Sequence, residues 1–308
     1  MNEAPQIVRD ISSNATPISI EDVPMLREMF SRNSKDNWCY FAPFLASYSL
    51  FPKRVIFWYE KKGVSVLFQR KMDRSNRTIE LMVPPIPLDE NGLRIMSDIM
   101  MDSANVTVKI LWVNESEKRI LKSAFTDHIK IDVKEEEYIY DPNLIYHMKG
   151  GRYRDLRKRV NSVAKINPVF RPMESNDVIE AVKLLRNWRS KQGRKRNFLL
   201  DWGYTLNALE NISKFSREDL YSWVVEIQGQ ISAIAMAGPI NDKSACFFVA
   251  KSDTGIYGLS EYLRWKVYGE LREFTRVNDA GDLGINGLRQ YKQKFRPLKL
   301  DRVYTASF

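Results

Sequence analysis

Residue types on which many enzymes depend are scarce here: the 308-residue chain has two cysteines, Cys39 and Cys246, and two histidines, His128 and His147. The cysteines stand far apart among aromatic and apolar neighbours, which reads as buried thiols and argues against a disulfide or a redox pair. Two histidines leave too little material for a zinc centre or a Ser-His-Asp arrangement, so no metal and no bound cofactor is expected. Long apolar runs are lacking too. No stretch approaches the ~20 residues that cross a bilayer, and the opening MNEAPQIVRDISSN has neither the basic start nor the apolar core of a signal peptide. The chain therefore reads as soluble and cytoplasmic, without a transmembrane segment. Its chemistry must come from carboxylates, hydroxyls, backbone amides and cations.

What is present is apolar content of 44% and aromatic content of 12%, the composition of a folded globular protein. Its length suits one large domain or two of roughly 150 residues. The net charge is +10 with a pI near 9.4, and it is not evenly spread. Residues 148–200 hold fifteen Lys/Arg against four Asp/Glu, which accounts for the whole excess and reads as a docking surface for a polyanion.

In chain order, residues 18–22 lead into a helix over 24–30, with Pro24 in its first turn and Asp22 as its cap. An aromatic run over 38–51 reads as core and as a wall facing substrate. Residues 54–69 read as two strands joined by a turn at Lys62-Gly63. A third strand over 78–83 is stopped by Pro84-Pro85, and a Met-rich helix over 92–101 precedes a strand over 107–112. From Ser216 the pattern returns, with strands over 221–226, 230–237 and 245–250, a turn at Gln228-Gly229, and a helix over 258–272. At an offset of 166 residues Gly63 falls on Gly229, Glu60 on Glu226 and Gly92 on Gly258, which reads as an internal duplication.

Each half thus runs helix, hairpin, third strand, turn, helix, further strand. This order resembles the Gcn5-related N-acetyltransferase fold, whose turn between third strand and helix binds pyrophosphate through backbone N–H groups. In the first half that turn, 85–92, contains Asp89 and Glu90, which repel phosphate. In the second it reads KSDTGIYG (251–258), with Lys251 and two glycines, Gly255 and Gly258, that would let a ligand approach the backbone closely. The second half is therefore the candidate for the working site. Its spacing departs from the Arg/Gln-x-x-Gly-x-Gly/Ala signature of acetyl-CoA users.

Two further stretches carry charge. A helix over RYRDLRKRVNSVAK places Tyr153, Leu156, Val160 and Val163 on one inward face, so Arg152, Arg154, Arg157, Lys158 and Arg159 lie on the others. Arg186, Arg189, Lys191, Arg194, Lys195 and Arg196 form a second basic group near Trp188. The end of the chain, 277–308, strings Asp279, Asp282, Asn286, Arg289, Lys292, Lys294 and Arg296 along a strand, a glycine turn and a short helix that Pro297 ends. Taken singly, each is explained by a solvated face. Together they suggest an anion-binding surface with a carboxylate aimed into it.

Tyr138-Ile139-Tyr140-Asp141, Lys149-Gly150 with its Arg-rich helix, Trp188, Asp282-Leu283-Gly284-Ile285, Gly287-Leu288-Arg289, Tyr291-Lys292 and Lys294-Phe295 resemble bacterial proteins related to the C-terminal domain of phosphatidylglycerol lysyltransferases. The resemblance implies an α/β (α+β) chain of two tandem acetyltransferase-like domains, each a mixed, mostly antiparallel sheet flanked by helices. Residues 1–137 would form a degenerate first domain. Residues 138–308 would carry the active site and the tRNA-docking surface. It also implies transfer of an aminoacyl group from a charged tRNA, the co-substrate, to an amine or hydroxyl of an acceptor. The membrane-spanning half of those lysyltransferases is not in this sequence, so the acceptor is expected to be a soluble small molecule or biosynthetic intermediate.

An aminoacyl ester is already activated, so positioning and an oxyanion donor suffice. Asp282 is assigned to the α-amino group, with Tyr257, Ser260 and Glu261 orienting the acceptor. Asn286, Arg289, Lys292 and Lys294 are assigned to the tRNA, as are Arg152, Arg157, Lys158 and Arg159, with Gly255 and Gly258 at the turn. The competing readings are an acyl-CoA-dependent N-acyltransferase using that turn, and a non-catalytic protein binding RNA or an anionic surface.

Overall fold

The computed structural model describes residues 14–50, 54–72, 77–101, 106–192 and 198–308. In chain order its elements open with β1 (Thr16–Pro17), α1 (Val23–Arg32), α2 (Ala42–Tyr48), β2 (Ile56–Lys61), β3 (Val64–Met72) and β4 (Arg77–Leu81). There follow α3 (Glu90–Met101), β5 (Val106–Val113), α4 (Glu115–Ala124), β6 (Lys130–Tyr140), α5 (Pro142–His147), α6 (Arg154–Ala164), β7 (Val169–Pro172), α7 (Val178–Gln192) and α8 (Phe198–Glu210). The rest are β8 (Tyr221–Ile227), β9 (Gln230–Asn241), β10 (Ser244–Ser252), α9 (Leu259–Glu270), β11 (Arg276–Asn278), α10 (Asn286–Gln293) and β12 (Lys299–Ser307).

The chain forms two compact units that are not its two consecutive halves. One comprises Met1–Ser19, Ser49–Glu135 and Arg302–Phe308, the other Ile20–Tyr48 and Glu136–Asp301. The change at Glu135/Glu136 lies beside the expected boundary at 137/138, but residues 20–48 and 302–308 are traded across it. Hydrogen bonding and burial decide this. Strand β12 pairs antiparallel with β5 in the first unit. The end of β6 pairs antiparallel with β11 in the second, Val277 opposite Tyr140. Each sheet is thus closed by a strand that comes from the other half of the sequence.

Within the units the repeat holds. In the first, β2, β3 and β4 are antiparallel neighbours and β4 pairs parallel with β5. In the second, β8, β9 and β10 are antiparallel and β10 pairs parallel with β11. Both hairpins turn on two left-handed residues, Lys62 (φ 53°) and Gly63 (φ 73°) in one, Gln228 (φ 53°) and Gly229 (φ 76°) in the other. That is the turn whose twist matches the strands it joins. These are two α/β units of the same strand order, each with a mostly antiparallel sheet flanked by helices.

The first unit packs Ile95, Met96 and Ile99 of α3 against Val66, Phe68, Val108 and Ile110 of its sheet. In the second, one sheet face carries Leu156, Val160 and Val163 of α6 and Leu263 and Val267 of α9, with Tyr153 buried beside them as its spacing requires. The aromatic run over 38–48 is buried too, and Trp38 and Phe44 cluster with Tyr204 and Phe248. Phe51 lies outside the described residues. Asp22 does precede α1, but its side chain makes no capping bond, and Pro24 in the first turn removes a donor such a cap would have served.

Candidate active site

Strands β10 and β11 run parallel for only three residue pairs, ending at Cys246 opposite Asn278. Beyond that β10 continues to Ser252, while residues 279–284 turn away beside β6, Asp279 N donating to Tyr138 O and Tyr138 N to Ala280 O, both at 3.0 Å. Two parallel strands parting at their carboxyl ends leave the crevice where open α/β sheets place ligands. The segment that turns away is strained. Ala280 (φ 53°) and Leu283 (φ 55°) lie in the left-handed region, followed by Gly284 (φ 69°), a conformation costly for residues with a Cβ and concentrated at functional sites.

The bend presents Asp282, only 7% exposed. Tyr138 Oη donates to Asp282 Oδ2 at 2.8 Å, Arg289 Nε donates to the same oxygen at 2.9 Å, and Gly284 N donates to Oδ1 at 2.9 Å. Burial pushes this carboxyl upward, but the bonds from Arg289, Tyr138 and Gly284 outweigh it and hold Asp282 below the usual carboxylate range. Burial and the bond to Asp282 push the Tyr138 phenol up to about 12, so it stays a donor.

Behind the bend is a buried ion cluster. Arg264 donates to Asp279, and Lys292 Nζ donates to the carbonyls of Asp279 and Ala280, the latter at 3.1 Å, while lying 3.5 Å from the Asp279 carboxylate. Burial works against the Arg264 charge, yet Asp279 more than offsets it and raises its pKa. This corrects the expectation for Lys292. At 4% exposure its ammonium is a strut under the backbone of the bend, since α10 turns that face inward, and it is not placed to take a phosphate.

At the start of α9 the expected residues have partners of their own. Ser260 Oγ lies 2.5 Å from Tyr291 Oη. Glu261 is buried and paired with Arg159 at 3.4 Å. Tyr257 is exposed, with the Arg159 guanidinium 4.7 Å from its ring centre. Gly258, at φ 84°, would place a Cβ 2.5 Å from the Arg159 carbonyl oxygen. Its glycine is thus explained by the backbone of α6 and not by a ligand. Asp253 Oδ1 accepts from Gly255 N at 2.9 Å and Lys191 Nζ at 2.7 Å, both of which lower its pKa. Lys251 is buried on Asp201 at 2.6 Å and lies 4.2 Å from the Trp188 ring centre. The side chains of Asp253 and Lys251 are thus already engaged, by Gly255 within the turn and by Lys191 and Asp201 of the neighbouring helices.

The basic residues divide in the same way. Arg157 donates to the carbonyls of Met148 and Gly150, the latter at 2.8 Å, bracing the loop before α6. Arg157 and Arg159 are therefore internal supports. Arg152, Arg154, Lys158, Asn286, Lys294 and Arg296 are exposed. In the second group Arg186 is exposed, Arg189 lies over Trp202 at 4.0 Å, and Arg194, Lys195 and Arg196 fall outside the described residues. The sequence reading missed the work of Tyr138, Arg264 and Tyr291. For Tyr138 a signal existed, because Tyr138 and Tyr140 alternate along β6 and their rings stack on one face at 6.5 Å.

Beside the turn a pocket of about 150 Å³ opens among Trp188, Lys191, Ser252, Asp253 and Thr254. A larger cleft of about 890 Å³, lined by Arg27, Glu28, Tyr221, Asp242 and Glu273, lies at the other end of the strands, away from Asp282. Among the described residues no helix is long and apolar enough to cross a membrane.

A conserved protein of unknown function from Bacteroides thetaiotaomicron shares this fold, with a TM-score of 0.81 at 16% identity over 96% of this chain and 99% of its own. L-PGS from Bacillus licheniformis follows with 0.66 at 15% identity over 92% and 91%. The C-terminal domain of a putative lysylphosphatidylglycerol synthetase from Agrobacterium fabrum gives 0.64 at 16% identity over 93% and 91%. No curated protein matches by sequence. The family described as phosphatidylglycerol lysyltransferase, C-terminal, matches residues 43–307. The chain belongs to that family, and with it to the acyltransferases whose general chemistry is aminoacyl transfer.

Proposed function

We propose that this protein takes an aminoacyl group from a charged tRNA and passes it to an amine or hydroxyl of a small soluble acceptor. The observation that carries the reading is Asp282. It is an ionised, nearly buried carboxylate at the parting of two parallel strands, on a strained bend braced by a buried ion cluster. Such a group binds a cationic amine far better than a neutral one. In the reaction the acceptor nitrogen or oxygen attacks the ester carbonyl, the bond to the tRNA ribose oxygen breaks, and the acceptor's proton ends on that oxygen. Asp282 holds the α-ammonium and so fixes the carbonyl; orientation of this kind supplies much of the rate for an activated ester. Ser260, hydrogen-bonded to Tyr291, and the exposed Tyr257 are suited to orient the acceptor. Arg152, Lys158 and Lys294 are suited to tRNA phosphates, being exposed. The second unit is thus the working one, and the cytoplasm, where charged tRNA is found, its place of action.

The test is to incubate the protein with bulk charged tRNA and, separately, with acyl-CoAs, each with a metabolite extract. Metabolite-dependent loss of the aminoacyl group is expected. Consumption of acyl-CoA alone would replace this reading with a coenzyme A-dependent one, against which stand the engagement of Asp253 with Gly255 and Lys191 and of Lys251 with Asp201.

A further inference from the structure

Arg289 holds the position on Asp282 that a substrate amine would need. Of the donors to this carboxylate described above, Tyr138 is fixed in the core and Gly284 N is fixed by the bend. Arg289 is the third. Its side chain is 51% exposed, while that of Asp282 is 10% exposed, so the guanidinium reaches the carboxylate from the solvent side. Withdrawing it leaves Asp282 charged, shaped and still held by two neutral donors. Guanidinium and ammonium are both cationic donors and compete for one oxygen.

The surroundings favour a second ligand of opposite charge. Arg289 is the fourth of the eight residues of α10, and no side chain caps the helix start, so its first backbone N–H groups are open to an anion. The space beside the helix is open, since a Cβ on Gly284 or Gly287 would meet nothing within 4 Å. A phosphate entering there would attract a freed guanidinium, and bidentate arginine–phosphate contacts rank among the strong hydrogen bonds.

We propose that Arg289 is a built-in competitor for the amine, so that the site turns away small amines that bring no phosphate and admits the ammonium of a donor whose phosphates draw Arg289 aside. This rests on the reading of Asp282 as the ammonium holder. Anion and ammonium are then positively coupled through one side chain, and the coupling is reciprocal.

Calorimetric titration with glycinamide, alaninamide and lysinamide, with and without deacylated bulk tRNA as the anion, tests it. Wild-type protein should bind the amides weakly, and saturating tRNA should tighten them roughly 5- to 10-fold, the scale of a half-exposed ion pair and its charge-assisted bond. Arg289→Ala, and Arg289→Gln as a longer replacement, should bind the amides tighter by the same factor without tRNA and gain nothing from it. Asp282→Asn should bind none under either condition. If Asp282→Asn binds the amides as wild type does, the reading of Asp282 itself falls. If Asp282→Asn loses them but the Arg289 variants bind no tighter than wild type, or bind none, only the competitor role is overturned.

Discussion

The two units differ sharply at one corresponding place, the link from the strand after the helix to the next helix. In the first unit β5 ends at Val113 and α4 begins at Glu115, with Asn114 between them forming a reciprocal capping box with Glu117. That is the shortest, best-satisfied link the helix start allows. In the second unit the same link runs over 279–285 and holds Asp279 and Asp282 and three left-handed residues, with Arg264 and Lys292 buried behind it. One copy obeys local rules and the other breaks them at a cost. Such violations concentrate at working sites, which supports the proposal that the second copy is the working one better than the glycines of its other turn do.

The largest effect expected from breaking this comparison is at Gly258. Gly258→Val combines a positive φ with a contact to the Arg159 carbonyl, and should cost more than about 4 kcal/mol, read as a collapse of the melting temperature. A stable but inactive variant would instead restore the ligand-approach explanation. Next, Arg264→Met removes the arginine that donates to buried Asp279 and leaves it only the more distant Lys292, which should cost about 3 kcal/mol, the low end for breaking a buried pair, in a urea titration. An unchanged midpoint would mean the bend supports itself.

Third, reversing the exposed Arg152, Lys158 and Lys294 to Glu should weaken tRNA binding at least ~10-fold and flatten its salt dependence, because each lost phosphate contact removes released counterions. The melting temperature should hardly move. Charge reversal of Arg157 and Arg159 should do the opposite, acting mainly on stability. The smallest effect belongs to the first unit, where Asn114→Ala should cost about 1 kcal/mol and leave transfer per folded molecule intact.

Local pattern made much of this legible. Both two-residue hairpin turns, the inward set Tyr153, Leu156, Val160 and Val163, and the strand, bend and short helix of the last thirty residues follow from periodicity and from glycine and proline placement. The exchange of β6 and β12 was not legible, because which sheet edge a closing strand meets is decided by packing far away in sequence. Nor could a charge run say which cations face solvent. Lys292, Arg157 and Lys158 look alike in the sequence, yet the first two spend their donors on buried or loop carbonyls and only Lys158 is exposed.

The central claim is that Asp282 holds a cationic amine beside a reacting ester. Asp282→Asn keeps the shape and removes the charge, so it forfeits a charge-assisted bond of roughly 1.5–3 kcal/mol. Because folding depresses the Asp282 pKa, its stabilising contribution is complete above the unfolded value and lost as pH falls through the folded one, below the ordinary carboxylate range. The variant should therefore differ little in stability slope between pH 5 and 8. The decisive measurement is the single-turnover rate with charged tRNA, taken with the melting temperature on the same preparation. A rate lowered ~10- to 100-fold with folding largely retained is the expected result. An unchanged rate per folded molecule, with only stability reduced, would contradict it and leave Asp282 as no more than the counter-ion of Arg289.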